Sequence, residues 1–199
     1  NIVHCNMNSA VMLYPLIAAK LAKTKVIIAH SHNNSSDKGF LKTFLHSLNK
    51  HFIPLFANMY FACSVEAGQW FFSKKIINSD SFKIIKNAID INKFEFDEKL
   101  RDKVRKKLSI DNDTFVVGHV GRFAKQKNHS FLIDIFNDIV KMNNNSKLIL
   151  IGIGNLQDKI KIKVKKLKLE DRVCFLNNRN DVNEIMQAMD VFVLPSLYE

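Results

Sequence analysis

Cysteine is scarce in this sequence of 199 residues, which contains only three. The number of cysteines is odd, and they lie far apart, at Cys5, Cys63 and Cys174. The sequence contains no C-x-x-C pair. That spacing favours neither a disulfide framework nor a zinc site. The sequence therefore predicts three reduced thiols in the core.

Long hydrophobic runs are also absent, because no segment approaches the roughly 18 uninterrupted apolar residues that span a bilayer. The first ten residues, NIVHCNMNSA, lack the basic start and the apolar stretch of a secretory leader. The share of hydrophobic residues, 47%, and of charged residues, 25%, is ordinary for a globular protein. A cytosolic protein is the expectation.

Acidic residues are few, since 19 Asp and Glu stand against 30 Lys and Arg, which leaves a net charge of +11. Such a balance favours acidic partners: a nucleotide diphosphate, an anionic membrane surface or nucleic acid. The densest basic stretch is DKIKIKVKKLKLEDR, residues 158–172. Apolar residues recur through and just before it at helical spacing, namely Leu156, Ile160, Val164 and Leu167. We expect a helix whose lysines face solvent, with a membrane-surface patch as the alternative. Nucleic acid is not expected, because this helix has no aromatic side chains to stack on bases.

Short apolar runs alternate with helical patterns along the whole chain, which predicts parallel strands, crossover helices and an α/β fold. The predicted strands are NIVHC, KVIIAH, MYFACS, KIIKN, FVVGHV, KLILIG, VCFL and VFVLP. Helices are predicted near 9–23, 40–56, 65–73, 97–109, 128–142 and 181–189, and across the basic stretch. The strands of the second half are continuous apolar runs, as expected where both faces of a sheet are covered.

The stretch NAIDINKFEFDEKLRDK, residues 87–103, is charged and lacks a strong strand pattern. We place a domain boundary near residue 89, which gives one domain over 1–88 and a second over 89–199. Two α/β domains joined in this way imply a cleft, with ligands at the carboxyl ends of the strands.

The strand FVVGHV is followed by Gly121 and Arg122, and then by Lys125 and Lys127 ahead of a predicted helix. Glycine allows a ligand to approach the backbone closely, arginine can fork onto two phosphate oxygens, and lysine adds a compact charge. This arrangement suits a diphosphate. Solvated loop cations are the alternative explanation.

The stretch LILIGIGNLQ resembles the start of a dinucleotide fingerprint, with Gly152 and Gly154 between a strand and a helix. Gln157 stands where the third glycine would be, and no acidic residue ends the following strand to hold a ribose. An NAD site is therefore not expected. The turn can still hold a phosphate through backbone N–H groups and a helix N-terminus.

Two further patterns are weaker. Asp111 and Asp113 form a D-x-D pair, but they precede a strand, where turns and caps are the usual role of aspartate. His30 and His32 follow a buried strand of the first domain, which makes them candidates for a site. The remaining histidines are assigned structural roles: His4, His46, His51, His119 and His129.

Four segments in order resemble the nucleotide-sugar domain of the family-4 retaining glycosyltransferases with the GT-B fold. They are KNAIDINKFEFDE, FVVGHVGRFAKQKN, KLILIGIGNLQDKI and LEDRVCFLNNRNDVNEIMQAMDVFVLPSLYE, so the resemblance covers 85–199. Residues 2–36 resemble, more loosely, the acceptor-side domain of members that build capsular and exopolysaccharides. The fold expected from the resemblance is two Rossmann-like domains with parallel sheets, both incomplete in this chain.

The resemblance implies a donor site in the second domain. Arg122 and Lys127 would grip the donor diphosphate, Gly121 would give access to it, and Gly152 and Gly154 would lie beside the phosphates. The loop Asn177-Asn178-Arg179 takes the place of the family's Gly-Phe-like pair at the base, so Asn178 and Arg179 are the base-side candidates.

Glu199 corresponds to the first glutamate of an E-x7-E motif and would face the donor sugar. The predicted strand VFVLP is expected to be buried and so to hold this carboxylate rigidly. In the first domain, His32 corresponds best to the family's acceptor-side histidine, with His30 a close rival.

The implied reaction transfers a sugar, with retention of configuration, from a nucleotide-diphosphate sugar to a glycan or lipid-linked acceptor in polysaccharide biosynthesis. No metal and no cofactor is expected, and peripheral contact with a membrane is expected as a partner interaction. Two alternatives stay open: a non-catalytic basic module that binds a membrane or polymer, and a nucleotide-sugar epimerase of the same architecture. The sequence is expected to be a fragment, inactive as a transferase on its own.

Overall fold

A computed structural model describes residues 1–33 and 39–198 of the chain. The chain divides into two compact units, Asn1–Ile89 and Asp90–Tyr198. We call them unit 1 and unit 2 and describe each by itself.

Unit 1 contains a four-stranded parallel sheet with the order β1-β2-β3-β4. Its strands are β1 (Ile2–Met7), β2 (Val26–Ser31), β3 (Met59–Ala62) and β4 (Phe82–Ile84). The helices between them are α1 (Tyr14–Leu21), α2 (Gly39–Asn49), α3 (Ile53–Phe56), α4 (Val65–Phe71) and α5 (Lys74–Ile77). The core of the unit joins sheet and helices through fully buried Leu16, Ile27 and Phe71.

The single helix predicted over 40–56 is two helices, α2 and α3. Pro54 lies in the first turn of α3, where its missing N–H costs nothing, but it cannot continue a helix from the preceding residues. The proline thus explains why the apolar periodicity of this segment continues while the helix is interrupted.

Unit 2 contains a second four-stranded parallel sheet, with the order β7-β6-β5-β8. Its strands are β5 (Phe115–Val120), β6 (Ser146–Ile151), β7 (Val173–Phe175) and β8 (Val191–Phe192). Its α-helices are α6 (Glu98–Lys107), α7 (His129–Met142), α8 (Gln157–Lys166) and α9 (Val182–Met186). Both sheets are parallel with crossover helices, so the predicted α/β class is confirmed.

Strand β6 shows how the second sheet is buried on both faces. Leu148 and Leu150 point into a cluster with residues of α7 and α8, whereas Ile149 and Ile151 point into a cluster with residues of α6 and α9. The alternation follows from the two-residue period of a strand. The prediction of a sheet covered on both faces is confirmed for this strand.

Helix α8 forms as its periodicity predicts. Its apolar stripe, which includes Ile160 and Val164, lies in the core with α7, and its lysines are mostly exposed between these positions. Lys163 reaches across to α7, where its Nζ lies 2.6 Å from Asp134 Oδ2.

The prediction that the last strand is buried is wrong. Strand β8 contains only Val191 and Phe192, which are 43% and 42% exposed. It pairs with β5 alone and lies at the edge of the sheet, so among the described residues only one neighbouring strand covers it. An apolar run of this length does not distinguish an edge strand from a central one.

A polar anchor fixes the start of β8. Asp190 accepts hydrogen bonds from Arg101, Arg105 and the Val116 N–H at 2.5, 2.8 and 2.7 Å. The Arg105 guanidinium is 1% exposed and also donates to four backbone carbonyl groups, those of Ala188, Asp111, Asn112 and Thr114. Burial raises the pKa of Asp190, but the Val116 N–H and the two guanidinium groups outweigh this and lower the pKa below its ordinary value.

Two further findings concern the described residues only. The three cysteines are free thiols; Cys5 is buried, and Cys63 and Cys174 are half-buried. No helix in the described ranges has the length and the apolar character needed to cross a membrane.

Candidate active site

The loop between β5 and α7 carries the cations predicted from the sequence. It leaves the sheet at Gly121, whose N–H donates to the Ile151 carbonyl at 2.9 Å. Residues Lys125–Lys127 form a 3-10 turn, and Asn128 adopts a left-handed conformation, with φ of 50°, before α7 begins. The loop is thereby placed at the carboxyl end of β5, where ligands of parallel sheets are usually bound.

The glycines of the next turn pack directly against this loop. Gly152 has a φ of +138°, and a Cβ atom there would collide with the Gly121 carbonyl oxygen. A Cβ atom on Gly154 would lie 2.5 Å from the Phe123 carbonyl oxygen and 2.7 Å from its nitrogen. Only glycine permits this approach of two backbones.

These contacts gather most of the predicted donor-site residues at one edge of the sheet. An added Cβ on Gly121 would lie 3.3 Å from Lys127 Cγ, which shows that the lysine side chain passes beside this glycine. Gly121, Arg122 and Lys127 therefore share one site with Gly152 and Gly154.

Arg122 differs from the other arginines in its surroundings. The sequence contains five arginines, and four of them bind carbonyl, amide or carboxylate oxygens: Arg101, Arg105, Arg172 and Arg179. Arg122 is exposed, and no other described residue forms a side-chain hydrogen bond or ion pair with it. Its guanidinium is thus available to a ligand.

The loop after β7 meets the glycine turn through Asn177. The Gly152 N–H donates to the Asn177 carbonyl at 2.9 Å, and the Gln157 amide donates to Asn177 Oδ1 at 3.0 Å. The base-side candidates Asn178 and Arg179 come next along this loop.

The side chain of Arg179 is engaged within its own loop. It binds both carboxylate oxygens of Asp181, at 2.8 and 2.6 Å, and this pairing raises the pKa of Arg179 and lowers the pKa of Asp181. With Asn178 it lines a shallow depression of about 450 Å³. A ligand at this depression would therefore contact the exposed face of the Arg179–Asp181 ion pair and not an unpaired guanidinium.

Two histidines that the sequence reasoning assigned to structural roles border the cationic loop. His119 is buried in β5, and its Nδ1–H donates to the Val193 carbonyl at 2.8 Å. His129, the first residue of α7, is 2% exposed and stacks on Phe123 with ring centroids 4.1 Å apart. The rings of His119 and His129 meet edge to face at 4.7 Å. Nothing in the spacing of these histidines indicates that the loop would fold over both of them.

His129 is held in its neutral form. Burial is the main cause that lowers its pKa to about 4, the neighbouring charges of His119 and Lys127 add to the decrease, and the Gly121 backbone opposes it. Neither ring nitrogen of His129 has a hydrogen-bond partner among the described residues. The ring therefore supports the loop by packing and not by charge.

A pH dependence of stability follows from this burial. Between pH 6.5, the ordinary value, and about 4, the folded value, the unfolded chain holds more protons on His129 than the folded chain. The free energy of unfolding should therefore be fully retained above pH 6.5 and fall as the pH drops toward 4, by up to about 3 kcal/mol. Urea unfolding at pH 7.5 and pH 5 should show that His129→Phe reduces this loss. An exposed control, His51→Phe, should keep the wild-type dependence, and an unchanged dependence in His129→Phe would contradict the interpretation.

In unit 1 the candidate histidines lie at the carboxyl end of β2. His30 is 5% exposed, and its Nδ1 shares a hydrogen bond of 3.0 Å with His4 Nε2. Burial, followed by the charges of His32 and His4, lowers its pKa to about 4. His32 is half-buried, its ring lies 4.1 Å from the His30 ring at a tilt of 37°, and its Nε2–H donates to Asn6 Oδ1 at 2.9 Å. Of the two rivals, His32 is the more accessible ring.

The sequence singled out three carboxylate residues: Glu199, Asp111 and Asp113. Glu199 lies outside the described residues. Asp111 and Asp113 precede β5, at the opposite end of the sheet from Gly121, and the Asp111 carbonyl accepts the Thr114 N–H in a turn. Within residues 1–33 and 39–198, no group of three histidine, cysteine or acidic side chains is arranged to hold a metal ion.

Comparisons with known proteins add to this geometry. EpsF of Bacillus subtilis (strain 168), whose name describes a glycosyltransferase, is 32% identical over 185 residues, which are 92% of this chain and 48% of EpsF. A UDP-Gal:alpha-D-GlcNAc-diphosphoundecaprenol alpha-1,3-galactosyltransferase of Escherichia coli is 34% identical over 119 residues, 58% of this chain and 31% of that enzyme. The chain thus spans about half of the length of EpsF and less of the second relative.

Among solved structures, HepE of Anabaena in complex with UDP and glucose superposes with a TM-score of 0.79 at 26% identity. The match covers 96% of this chain and 52% of HepE. The parallel α/β fold is accordingly that of GT-B glycosyltransferases such as HepE. Residues 100–199, half of the chain, match the family described as Glycosyl transferases group 1. This protein therefore belongs to the glycosyl transferases group 1 family.

Proposed function

We propose that this chain is part of a retaining glycosyltransferase of the family-4 type. Its reaction moves a hexose from a nucleotide-diphosphate sugar to a glycan or lipid-linked acceptor in polysaccharide biosynthesis. The observation that carries the proposal is the position of Arg122 and Lys127 beside two backbone turns that only glycine permits. The names of the relatives, one of which acts on a diphosphoundecaprenol-linked sugar, support the choice of acceptor class.

The chemistry required of the site is to stabilise a leaving group. The bond between the anomeric carbon and the diphosphate oxygen breaks, and its electron pair stays on the diphosphate. The acceptor hydroxyl oxygen forms the new bond to the anomeric carbon, and its proton passes to an oxygen of the departing diphosphate, which carries the electron pair of the broken bond. Because negative charge grows on the diphosphate, Arg122 and Lys127 would stabilise the transition state more than the ground state. Two cations and the backbone N–H groups of the loops would do this without a metal or other cofactor.

The glycine turns would bring the ligand to the backbone. With Gly121 on one turn and Gly152 and Gly154 on the other, phosphate oxygens can approach the backbone without obstruction by side chains. The Gly121 and Gly152 N–H groups already bind the Ile151 and Asn177 carbonyls, so of the three glycines Gly154 is the one whose N–H would meet a phosphate. The nucleotide base would lie against the loop of Asn178 and Arg179. The complexes of HepE with UDP favour a uridine nucleotide.

For unit 1 we propose His32, and not His30, as the residue that contacts the donor sugar. His30 is buried and shares its Nδ1 with His4, whereas His32 is accessible and is oriented by Asn6. The tilted ring contact with His30 would help to fix the ring of His32, and His30 is itself held by its hydrogen bond with His4.

Peripheral contact with a membrane belongs to the same proposal, because a lipid-linked acceptor resides there. The exposed lysines of α8 are the basic surface that the sequence offers for anionic headgroups: Lys159, Lys161, Lys165 and Lys166.

The test is calorimetric titration of the intact protein with UDP and GDP, followed by transfer from the matching nucleotide sugar. The proposal expects one nucleotide to bind, and NMR of the product to show the same anomeric configuration as in the donor. A module that only binds membranes or polymers would bind neither nucleotide. An epimerase would convert the nucleotide sugar without any acceptor.

A further inference from the structure

Helix α2 of unit 1 is held in place by polar side chains. Of its residues, all of which lie in the described ranges, only His46 is buried. His46 Nδ1 accepts the Ala10 N–H at 3.0 Å, its Nε2–H donates to the Trp70 carbonyl at 3.1 Å, and its ring stacks on Trp70. One turn later, the Asn49 amide donates to the Val11 carbonyl at 3.1 Å. Among the described residues, the apolar core of unit 1 includes none from α2.

The apolar side chains of α2 point away from the unit. Phe40, Phe44 and Leu48 recur at every fourth position, and Leu41 lies beside them. At about 100° per residue, these four side chains cover an arc of about 100° that is centred opposite His46. The two phenylalanines are 89% and 56% exposed, and both leucines are exposed as well. We call these four side chains the α2 face.

This orientation is the reverse of the usual one. A surface helix normally turns its apolar stripe toward the core and its polar side toward solvent. Beyond α2 the chain carries two more exposed apolar side chains, Phe52 and Leu55. Single exposed apolar side chains are common, but a contiguous group of them is typical of a surface that binds a partner or a membrane.

The charge of unit 1 indicates which of these the α2 face binds. Residues 39–65 contain Lys42 and Lys50 and no acidic residue, and residues 1–89 contain ten lysines and three acidic residues. An apolar helix face without nearby carboxylates, on a unit with this excess of positive charge, suits the interface of an anionic bilayer. A second copy of the chain would bring the same positive charge, which opposes association.

We propose that the α2 face inserts into the interface of an anionic lipid bilayer, with Phe40, Phe44 and Leu48 among the acyl chains next to the headgroups. The inference goes beyond the proposed function, because it assigns insertion to unit 1. The basic surface of α8 lies in unit 2, and α8 has no aromatic side chain to insert. The inference concerns lipid binding alone, so it does not depend on which reaction the protein catalyses.

The experiment measures co-sedimentation of the intact protein with vesicles of phosphatidylglycerol and phosphatidylethanolamine, and with vesicles of phosphatidylcholine. The wild type should bind the anionic vesicles about tenfold more tightly, since lysines near the surface favour anionic headgroups. The double variant Phe40→Ala/Phe44→Ala should bind them about 100-fold more weakly, because each ring withdrawn from the apolar phase costs about tenfold in affinity. Both rings are exposed, so urea unfolding of the variant should match that of the wild type.

The matched control is Phe96→Ala/Phe131→Ala, which removes two phenylalanines that are 69% and 54% exposed in unit 2. This control should bind the anionic vesicles as the wild type does. A second measurement detects insertion directly. Trp70 is the only tryptophan of the sequence and is half-buried, so vesicles with brominated acyl chains should quench the emission of Phe44→Trp more strongly than that of the wild type.

Loss of vesicle binding in the α2 variant but not in the control, together with quenching of Phe44→Trp, would support the inference. Failure of the wild type to bind anionic vesicles would overturn it, and so would equal losses in the α2 variant and the control. Unchanged binding of the α2 variant, with binding lost when the exposed lysines of α8 are replaced by glutamine, would assign the contact to α8 instead. Without lipid, a less stable α2 variant or a changed oligomeric state would show that another part of the protein or a second copy covers the face, which also contradicts the proposal.

Discussion

Arg122→Ala should lower the rate of sugar transfer by about 10²- to 10³-fold in the intact protein, because one preorganised donor to the leaving diphosphate is lost. The wild-type guanidinium has no protein partner among the described residues, so its removal leaves no buried group unsatisfied. The stability of the fold should therefore be unchanged. The measurements are kcat, KM and the free energy of unfolding in urea.

The expected effect on binding is smaller than the effect on rate. A hydrogen bond to a charged group contributes about 1.5–3 kcal/mol, so nucleotide affinity should fall by about 10- to 100-fold. Arg122→Lys should recover only part of the rate, because lysine keeps the charge but cannot fork onto two oxygens. Lys127→Ala should act in the same direction.

Arg172→Ala provides the matched control for Arg122. It removes the same charge, but Arg172 precedes β7, at the opposite end of the sheet, and binds the Asn144 side chain. The turnover number of the Arg172→Ala variant should stay close to that of the wild type. Equal losses in both variants would indicate that net charge, and not the placement of Arg122, accounts for the effect.

Much of unit 2 could be predicted from the sequence, because its signals are local. The runs FVVGHV and KLILIG are long, apolar and closed by glycine, and they became β5 and β6 over almost the predicted residues. The stripe through Ile160 and Val164 specified α8 and its buried face. The positions of Gly121 and Gly152 at strand ends followed from the same runs, whereas only the resemblance to the nucleotide-sugar domain placed the two turns in one site.

What the sequence could not provide depends on contacts between distant residues. Whether VFVLP is central or at an edge is decided by the order of the strands in the sheet, and the prediction of burial failed for that reason. Which arginines remain available depends on partners such as Asp190, which lies 85 residues from Arg105. Gln126 binds the backbone of Leu197 and Tyr198, and no local pattern indicates that the chain after β8 passes beside its loop.

Because β8 is exposed, packing contributes little to its stability, and the contacts of Asp190 should contribute more. Asp190→Ala should destabilise the protein by about 3 kcal/mol, the lower part of the range for breaking a buried ion pair, since the carboxylate itself is partly accessible. The loss arises because Arg105 stays buried without a counter-charge and the Val116 N–H loses its acceptor. The measurement is the urea unfolding of unit 2. Because folding lowers the pKa of Asp190, the ionised carboxylate stabilises the fold, and the wild type should lose that part of its stability as the pH falls below 3.8, the ordinary value for Asp.

Two variants separate the ion pair from a general effect of removing a carboxylate. Asp138→Ala removes an exposed pair with Lys141, 2.7 Å apart, and should change stability by less than about 0.5 kcal/mol. Asp190→Asn keeps an acceptor for the Val116 N–H and removes the charge, so its cost should lie between those of the two alanine variants. If Asp190→Ala were as stable as Asp138→Ala, the four carbonyl groups around Arg105 would suffice to hold its charge. The start of β8 would then be anchored by backbone hydrogen bonds to β5, which include that of the Asp190 N–H to the Val116 carbonyl at 2.8 Å and that of the Val193 N–H to the Gly118 carbonyl at 2.9 Å.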